Sequence, residues 1–216
     1  MKLTRCKGPN SKCFLLAYLM IVGLLLTLLL NKRSILQHDT RTIPPRMAPY
    51  LVSPAKPLPD FVLHTDKKLA LTSKWLKNKW TFVYFSFRHC LPACQAALTT
   101  IKGLQQRFAT RDIQFLIIDI DSHDNAKDLA AFLQSQGIAA TPATGDPDII
   151  TTLAKAFVAL YLQTDFPDGR YMIEQKHHLF LVDPKGRLYA DFRPPYSDRL
   201  LTQRFILLRQ FYARTE

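Results

Sequence analysis

Cysteine is scarce in this sequence, with four residues in 216. Cys6 and Cys13 fall before residue 34, so Cys90 and Cys94 are the only cysteines in the remainder. That excludes a disulfide framework, which needs several cysteines spread over loops. Two cysteines four positions apart read instead as a redox or metal pair. Low-complexity tracts and internal repeats are also missing. With 48% hydrophobic and 21% charged residues, most of the chain reads as globular rather than disordered. Acidic residues are absent from positions 1–33, which hold six basic ones: Lys2, Arg5, Lys7, Lys12, Lys32 and Arg33. Removing those six from 29 basic residues leaves 23 against 17 acidic ones, so half of the net +12 lies in that short stretch. No stripe of Lys and Arg interleaved with aromatics follows, and the chain does not read as a nucleic-acid binder.

The first long apolar run is CFLLAYLMIVGLLLTLLL at 13–30, uncharged over 18 residues. A helix of about 17–25 residues crosses a bilayer core, so this run predicts a single N-terminal transmembrane helix. The basic residues at 1–12 favour a cytoplasmic N-terminus. No small-x-small cleavage site follows, which points to an uncleaved signal anchor. Cys13 lies at the start of the run rather than after it, and is badly placed for lipoprotein processing. Residues 31–57, with Pro44, Pro45, Pro49, Pro54 and Pro57, read as an extended tether. Residues 58–216 then form one domain in an exocytoplasmic space: the periplasm of a bacterium, or the intermembrane space of a mitochondrion.

Inside that domain, Pro59–Leu63 reads as a short strand, with Leu69–Leu71 as its hairpin partner. WTFVYFSF at 80–87 is almost continuously apolar and suits a central strand buried on both faces. Spacing of Leu98, Ile101, Leu104 and Phe108 predicts a helix over 93–108. IQFLIIDI at 113–120 reads as a second buried strand. Helices are expected at 125–136, with Gly137 ending it, and at 146–160. A hairpin joins 178–182 to 187–192 through the turn Asp183-Pro184-Lys185-Gly186. An amphipathic helix at 197–213 closes the chain. This order is that of an α/β domain.

Cys90 and Cys94 follow the first buried strand, where a helix is expected to begin. A helix start stabilises a thiolate through free N–H groups and the dipole, and Arg88 and His89 add positive charge. Cys90 is expected to be the more acidic and more exposed thiol, with Cys94 one turn on. Helical i,i+4 Cβ atoms lie roughly 5–6 Å apart and a disulfide needs about 3.5–4.5 Å, so a small adjustment allows a bridge. Two thiolates at this spacing also suit a soft ion such as Cu(I). Asp119 and Asp121 read as polar residues closing a buried strand, with a hard-cation site as the alternative. His38, His64 and His123 show no partner pattern and read as surface residues.

Several stretches resemble the Sco/SenC family of cytochrome oxidase assembly proteins. Leu76–Phe85 is similar to its "LKGKW…VYF" lead-in, and Phe87–Cys94 to its "F-T-H-C-P-x-x-C" motif. Asp119–Asp124 is similar to "VDPERD", and Leu179–Gly186 to the "YLVDPDG" hairpin. The likeness covers roughly 55–214. It implies a thioredoxin-like fold with a central mixed sheet and a copper site of two cysteines and one histidine. It also implies copper delivery to, or thiol reduction at, the dinuclear copper centre of cytochrome c oxidase. The partner would then be the oxidase's copper-bearing subunit or another thiol or copper protein. The family's histidine stands nine residues before the hairpin proline, where this chain has Gln175, and Leu91 takes the family's proline position beside Pro92. The histidine candidates become His177, which shares strand parity with position 175, and His178, which points the other way. His89 reads as a neighbour tuning the thiolate.

The resemblance thus yields a membrane-anchored copper metallochaperone with Cys90, Cys94 and His177 as metal ligands. The alternative is a metal-independent thiol–disulfide oxidoreductase or redox sensor that needs only the two cysteines. A third class, a non-catalytic assembly scaffold, leaves the cysteines without a task.

Overall fold

The computed structural model describes residues 17–28, 43–108 and 112–216. The chain divides into two units, Met1–Thr42 and Ile43–Glu216. In the first, residues 17–28 (AYLMIVGLLLTL) are helical. The remainder of the predicted span, 13–16 and 29–30, lies outside the described residues, as does His38. Among the described residues no helix is long and apolar enough to cross a membrane.

In the second unit the two apolar runs become the centre of the sheet. Strands β4 (Trp80–Ser86) and β5 (Ile113–Asp119) lie parallel, with Phe82 opposite Phe115 and Ser86 opposite Asp119. Every residue of β4 is buried. A run apolar at successive positions is stable only where both faces are covered, and both are. On one face Phe82 packs on Phe115 and Phe205; on the other Phe85 packs on Phe157 and Phe180.

The other strands are β1 (Leu51–Pro57), β2 (Val62–Thr65), β3 (Ala70–Thr72), β6 (Thr141–Thr144), β9 (Leu179–Val182) and β10 (Arg187–Phe192). Together the eight make one mixed sheet in the order β1-β10-β9-β4-β5-β6-β2-β3. β4, β5 and β6 run parallel, and the outer pairs are antiparallel. Strands β7 (Tyr161–Asp165) and β8 (Tyr171–Gln175) form a separate antiparallel hairpin. The helices are α1 (Gln95–Arg107), α2 (Ala126–Ser135), α3 (Pro147–Phe157) and α4 (Asp198–Thr215). α1 and α4 pack on each other, and α2 packs on β6.

The stretch read as a tether needs correction at its C-terminal end. Met47 and Tyr50 are buried, and Leu51–Pro57 is an edge strand of the sheet. The folded unit therefore takes in residues from 43 onward rather than from 58. Prolines lack the N–H that a central strand needs, yet an edge strand tolerates them. β1 pairs on one side only, and its register shifts between Leu51 and Lys56, around Pro54.

Helix boundaries follow local chemistry. Asn125 caps α2 by accepting the Lys127 and Asp128 amides, and Gly137 at φ 66° lets the chain turn away after it. Ser197 caps α4 through the Leu200 amide. α3 ends at Phe157, short of the predicted 160, because Val158 adopts a left-handed conformation at φ 59° and Tyr161 already belongs to β7.

Candidate functional site

Cys90 and Cys94 are joined by a disulfide, with Cα atoms 5.5 Å apart. The bridge closes a turn, not a turn of helix. After β4 the chain makes turns through 88–94, with a cis Leu91–Pro92 peptide, and the Cys94 amide donates to the Cys90 carbonyl at 3.2 Å. Helix α1 begins at Gln95, and Cys94 occupies its N-cap. The expectation that Cys90 sits at the helix start is thus corrected: the helix dipole acts first on Cys94. Pro92 accounts for the delay, since proline disfavours the helical region for the residue before it.

Cys94 is fully buried and Cys90 is 3% exposed. Access distinguishes them: Cys90 lines a cleft of about 980 Å³, and Cys94 does not. The walls of the cleft are Phe87, His89 and Leu91 on one side and the β7–β8 hairpin on the other. Leu160, Leu162, Met172 and Leu91 are exposed apolar side chains around it. His89 lies on the cleft wall, but the Arg88 guanidinium is engaged elsewhere, 2.8 Å from Asp124 and 3.9 Å from Asp128.

His177 lines the same cleft as Cys90, as does Gln175. The segment is not extended: β8 ends at Gln175, and His177 is left-handed at φ 51°. Even so, Gln175 and His177 converge on one atom. His177 Nδ1 lies 2.8 Å from the Tyr84 phenol oxygen, and the Gln175 amide donates to that oxygen at 3.3 Å. The Tyr196 hydroxyl donates to the His177 carbonyl. Burial lowers the His177 pKa from its ordinary 6.5, which favours the neutral ring with one N–H and one lone pair. Burial also pushes the Tyr84 phenol well above 10, so it keeps its proton.

His178 turns away. Its Nδ1 meets Asp191 Oδ1 at 2.9 Å, and its ring packs near Phe180. Burial opposes the charge on Asp191, but His178 and Arg193 outweigh it and lower the carboxyl's pKa. The two histidines thus meet different neighbours, but strand parity is not the reason, since His177 is left-handed where an extended segment was expected.

Asp119 and Asp121 close β5 as polar residues. Asp119 Oδ1 accepts the Asp121 amide at 3.0 Å, and Asp121 Oδ1 accepts the His123 amide at 2.9 Å. The Tyr171 hydroxyl donates to Asp121 Oδ2 at 2.7 Å, tying the hairpin to the end of β5. His64 is exposed on β2. His123 is exposed but not without partners: its ring stacks on Tyr171 at 4.5 Å and meets Asp121 at 3.2 Å.

Three parts of the site escape the sequence reading: Tyr84, Ser86 and the hairpin. Tyr84 and Ser86 sit inside an apolar run whose polar atoms are invisible without their neighbours. The hairpin had a signal in Pro167-Asp168-Gly169, a turn sequence between two alternating stretches.

A disulfide at the turn between a central parallel strand and the following helix, in a mixed sheet covered by helices, defines the class: a thioredoxin-like α/β domain with a CxxxC pair. Residues 53–206 match the SCO1/SenC family, and the chain belongs to that family. Among similar proteins is the mitochondrial SCO1 homolog 1 of Arabidopsis thaliana, 24% identical over 129 residues. That match covers 58% of this chain and 39% of the relative, so the chain spans less than half of that protein's length. The crystal structure of Arabidopsis thaliana ScoI with copper bound shares the fold at a TM-score of 0.63 and 22% identity, over 72% of this chain and 99% of that one. Bradyrhizobium japonicum ScoI, also with copper bound, aligns at a TM-score of 0.61 and 21% identity, over 71% and 98%.

Proposed function

We propose that this chain is a membrane-tethered copper chaperone that takes copper through Cys90, Cys94 and His177 and passes it to a copper centre of cytochrome c oxidase. Copper is cargo in this reading, not a resident cofactor. The observation that carries it is the shared cleft: the reachable sulfur, Cys90, and the imidazole of His177 line one concavity. Two sulfurs and an imidazole are a soft donor set suited to copper. In the disulfide form no group of three or more His, Cys, Asp or Glu among the described residues is gathered to hold an ion. Breaking the S–S bond frees both sulfurs as donors, so reduction precedes loading. The plant and bacterial ScoI structures with copper bound support copper as the cargo. The basic segment 1–12, an anchor at 13–30 and the residues before 43 would hold the domain on the exocytoplasmic side of a membrane.

The test is a Cu(I) titration of the reduced full-length protein in detergent. About one ion per chain is expected from one such site. Cys90→Ser and Cys94→Ser should abolish binding, His177→Ala should weaken it, and His178→Ala should leave it unchanged. Reduced wild type that takes up no copper refutes the assignment.

The closed disulfide favours a second reading, thiol–disulfide exchange without metal. A partner thiolate attacks Cys90 Sγ, the Cys90–Cys94 bond breaks, and Cys94 leaves as a thiolate. A second partner thiol then displaces Cys90. The partner ends as a disulfide and this pair as two thiols. Cys94→Ser in the reverse direction should trap a mixed disulfide at Cys90, and failure to capture any partner in cells counts against exchange.

A further inference from the structure

The β7–β8 hairpin is a sheet of two strands only, so each strand has one open edge. Two bonds that bracket the hairpin fix which groups lie on that edge. The Phe166 amide donates to the Arg170 carbonyl at 2.8 Å, and the Lys176 amide donates to the Leu160 carbonyl at 3.1 Å. In an antiparallel pair, residues alternate between bonding to the partner strand and facing away from it. Met172 and Glu174 therefore bond to β7, opposite Thr164 and Leu162. Tyr171, Ile173 and Gln175 turn their N–H and C=O groups outward, and among the described residues nothing bonds to them.

This open edge borders the cleft. Residues 169–177 all line it, as do Cys90, Leu91 and Ala93 of the cysteine turn. The side chains of Tyr171, Ile173 and Gln175 share one face of the strand. That face is turned to the body of the domain: the Tyr171 hydroxyl reaches Asp121 at 2.7 Å, and the Gln175 amide reaches Tyr84 at 3.3 Å. An unpaired row of strand N–H and C=O groups is a template for another extended chain.

Resting on the thiol-exchange reading above, we propose that the free edge of β8 takes an extended, cysteine-bearing polypeptide segment as an antiparallel third strand and so delivers its sulfur to Cys90. The segment's thiolate attacks Cys90 Sγ, the Cys90–Cys94 bond breaks, and Cys94 leaves as a thiolate. In antiparallel pairing the residues that bond to the edge point their side chains to the same face as the residues they meet. The cysteine is one of these, opposite Ile173 at the middle of the edge. The residues two before and two after it are the others, and apolar side chains there suit Phe87 and Leu91 on the facing wall. Lys176 is exposed and has no ion partner among the described residues, so an acid three residues before the cysteine complements it.

The probe is the end-blocked peptide Asp-Val-Thr-Cys-Thr-Val, its sulfur activated as a mixed disulfide with thionitrobenzoate. Full-length Cys94→Ser protein in detergent, with Cys6→Ser and Cys13→Ser, attacks that sulfur through Cys90 and expels thionitrobenzoate, whose colour reports the rate. N-methylation of both valines removes N–H groups that face β8, and N-methylation of both threonines removes N–H groups that face away. The valine-methylated peptide should react about tenfold more slowly than the parent, two hydrogen bonds being lost, and the threonine-methylated peptide at the parent's rate. The mixed disulfide of glutathione with thionitrobenzoate is the control. Ile173→Pro deletes one outward N–H and no bond to β7, so it should slow the peptide and leave the control unchanged. In the trapped complex, amide exchange should slow about tenfold at Tyr171, Ile173 and Gln175, and stay unchanged at Met172 and Glu174. The methylated peptides need no change in the hairpin, so they decide the matter even where the proline variant misfolds. Equal rates for the two methylated peptides, with the control reacting, overturn the third strand and leave exchange standing. A Cys90 that reacts with neither peptide nor control refutes exchange and the third strand together.

Discussion

Replacing Asp119 with asparagine removes a carboxyl whose ionisation the fold resists. The side chain is 2% exposed, and Oδ2 has no hydrogen-bond partner among the described residues. Burial pushes its pKa from 3.8 up to about 8. The Asp121 amide and Arg88 pull the other way, and the charges of Asp124 and Asp121 add to the rise. In the unfolded chain the same carboxyl releases its proton near 4. Between those two values the folded state binds one proton more than the unfolded state, so stability falls as pH rises. The sign is opposite to that of a salt-bridged aspartate. The contribution is fully present below about pH 4, is lost progressively up to about pH 8, and is constant above. Each pH unit in that window costs about 1.4 kcal/mol, and the whole window at most about 6 kcal/mol. Asp119→Asn keeps an oxygen for the Asp121 amide and cannot ionise. Urea unfolding of both proteins in detergent at pH 5, 6, 7 and 8 measures the difference. The variant's advantage over wild type should grow with pH across this series. Parallel pH profiles for the two proteins would refute the assignment of a buried, proton-holding Asp119.

Tyr171→Phe deletes the bond to Asp121 that ties the hairpin to β5. It should cost about 1.5–3 kcal/mol, read as faster amide exchange across 161–175, and unchanged exchange there would contradict the tie. Gly103→Ala places a methyl 2.5 Å from Asp198 Cβ, at the contact of α1 with α4 where Arg107 pairs with Asp198 at 2.8 Å. A loss of about 1–3 kcal/mol is expected in thermal unfolding, and a neutral effect would show that the helices separate freely. Phe205→Ala empties the space among Trp80, Phe82 and Phe108, where Phe205 is fully buried. It should destabilise by about 3–5 kcal/mol in urea unfolding, and a loss below 1 kcal/mol would mean the cavity collapses.

What was legible in the sequence depended on short-range chemistry. Residues 80–87 announced a strand covered on both faces because an unbroken apolar run has no solvent face to offer. The turn at Asp183-Pro184-Lys185-Gly186 was readable because Asp183 satisfies the amides of Lys185 and Arg187 within its own few residues. The cysteine pair stood out because nothing else beyond residue 33 competes with it. Proline misled the reading of 51–57: five prolines over 31–57 suggested a tether, but an edge strand needs donors on one side only, and its partner β10 lies some 130 positions away in the chain.

The sequence by itself placed Cys90 and Cys94 together after a buried strand, and put His177 and His178 on opposite sides only for an extended segment. Only the tertiary structure decided which neighbours they have. Cys94 rather than Cys90 caps the helix, because the turn through Pro92 delays the helix start. Tyr84 meets His177 because β4 carries it beneath a residue 93 positions away in the chain. Spacing along the chain sets the parity of a side chain, but only packing sets what meets it, since a hydrogen bond requires two groups brought together by the fold.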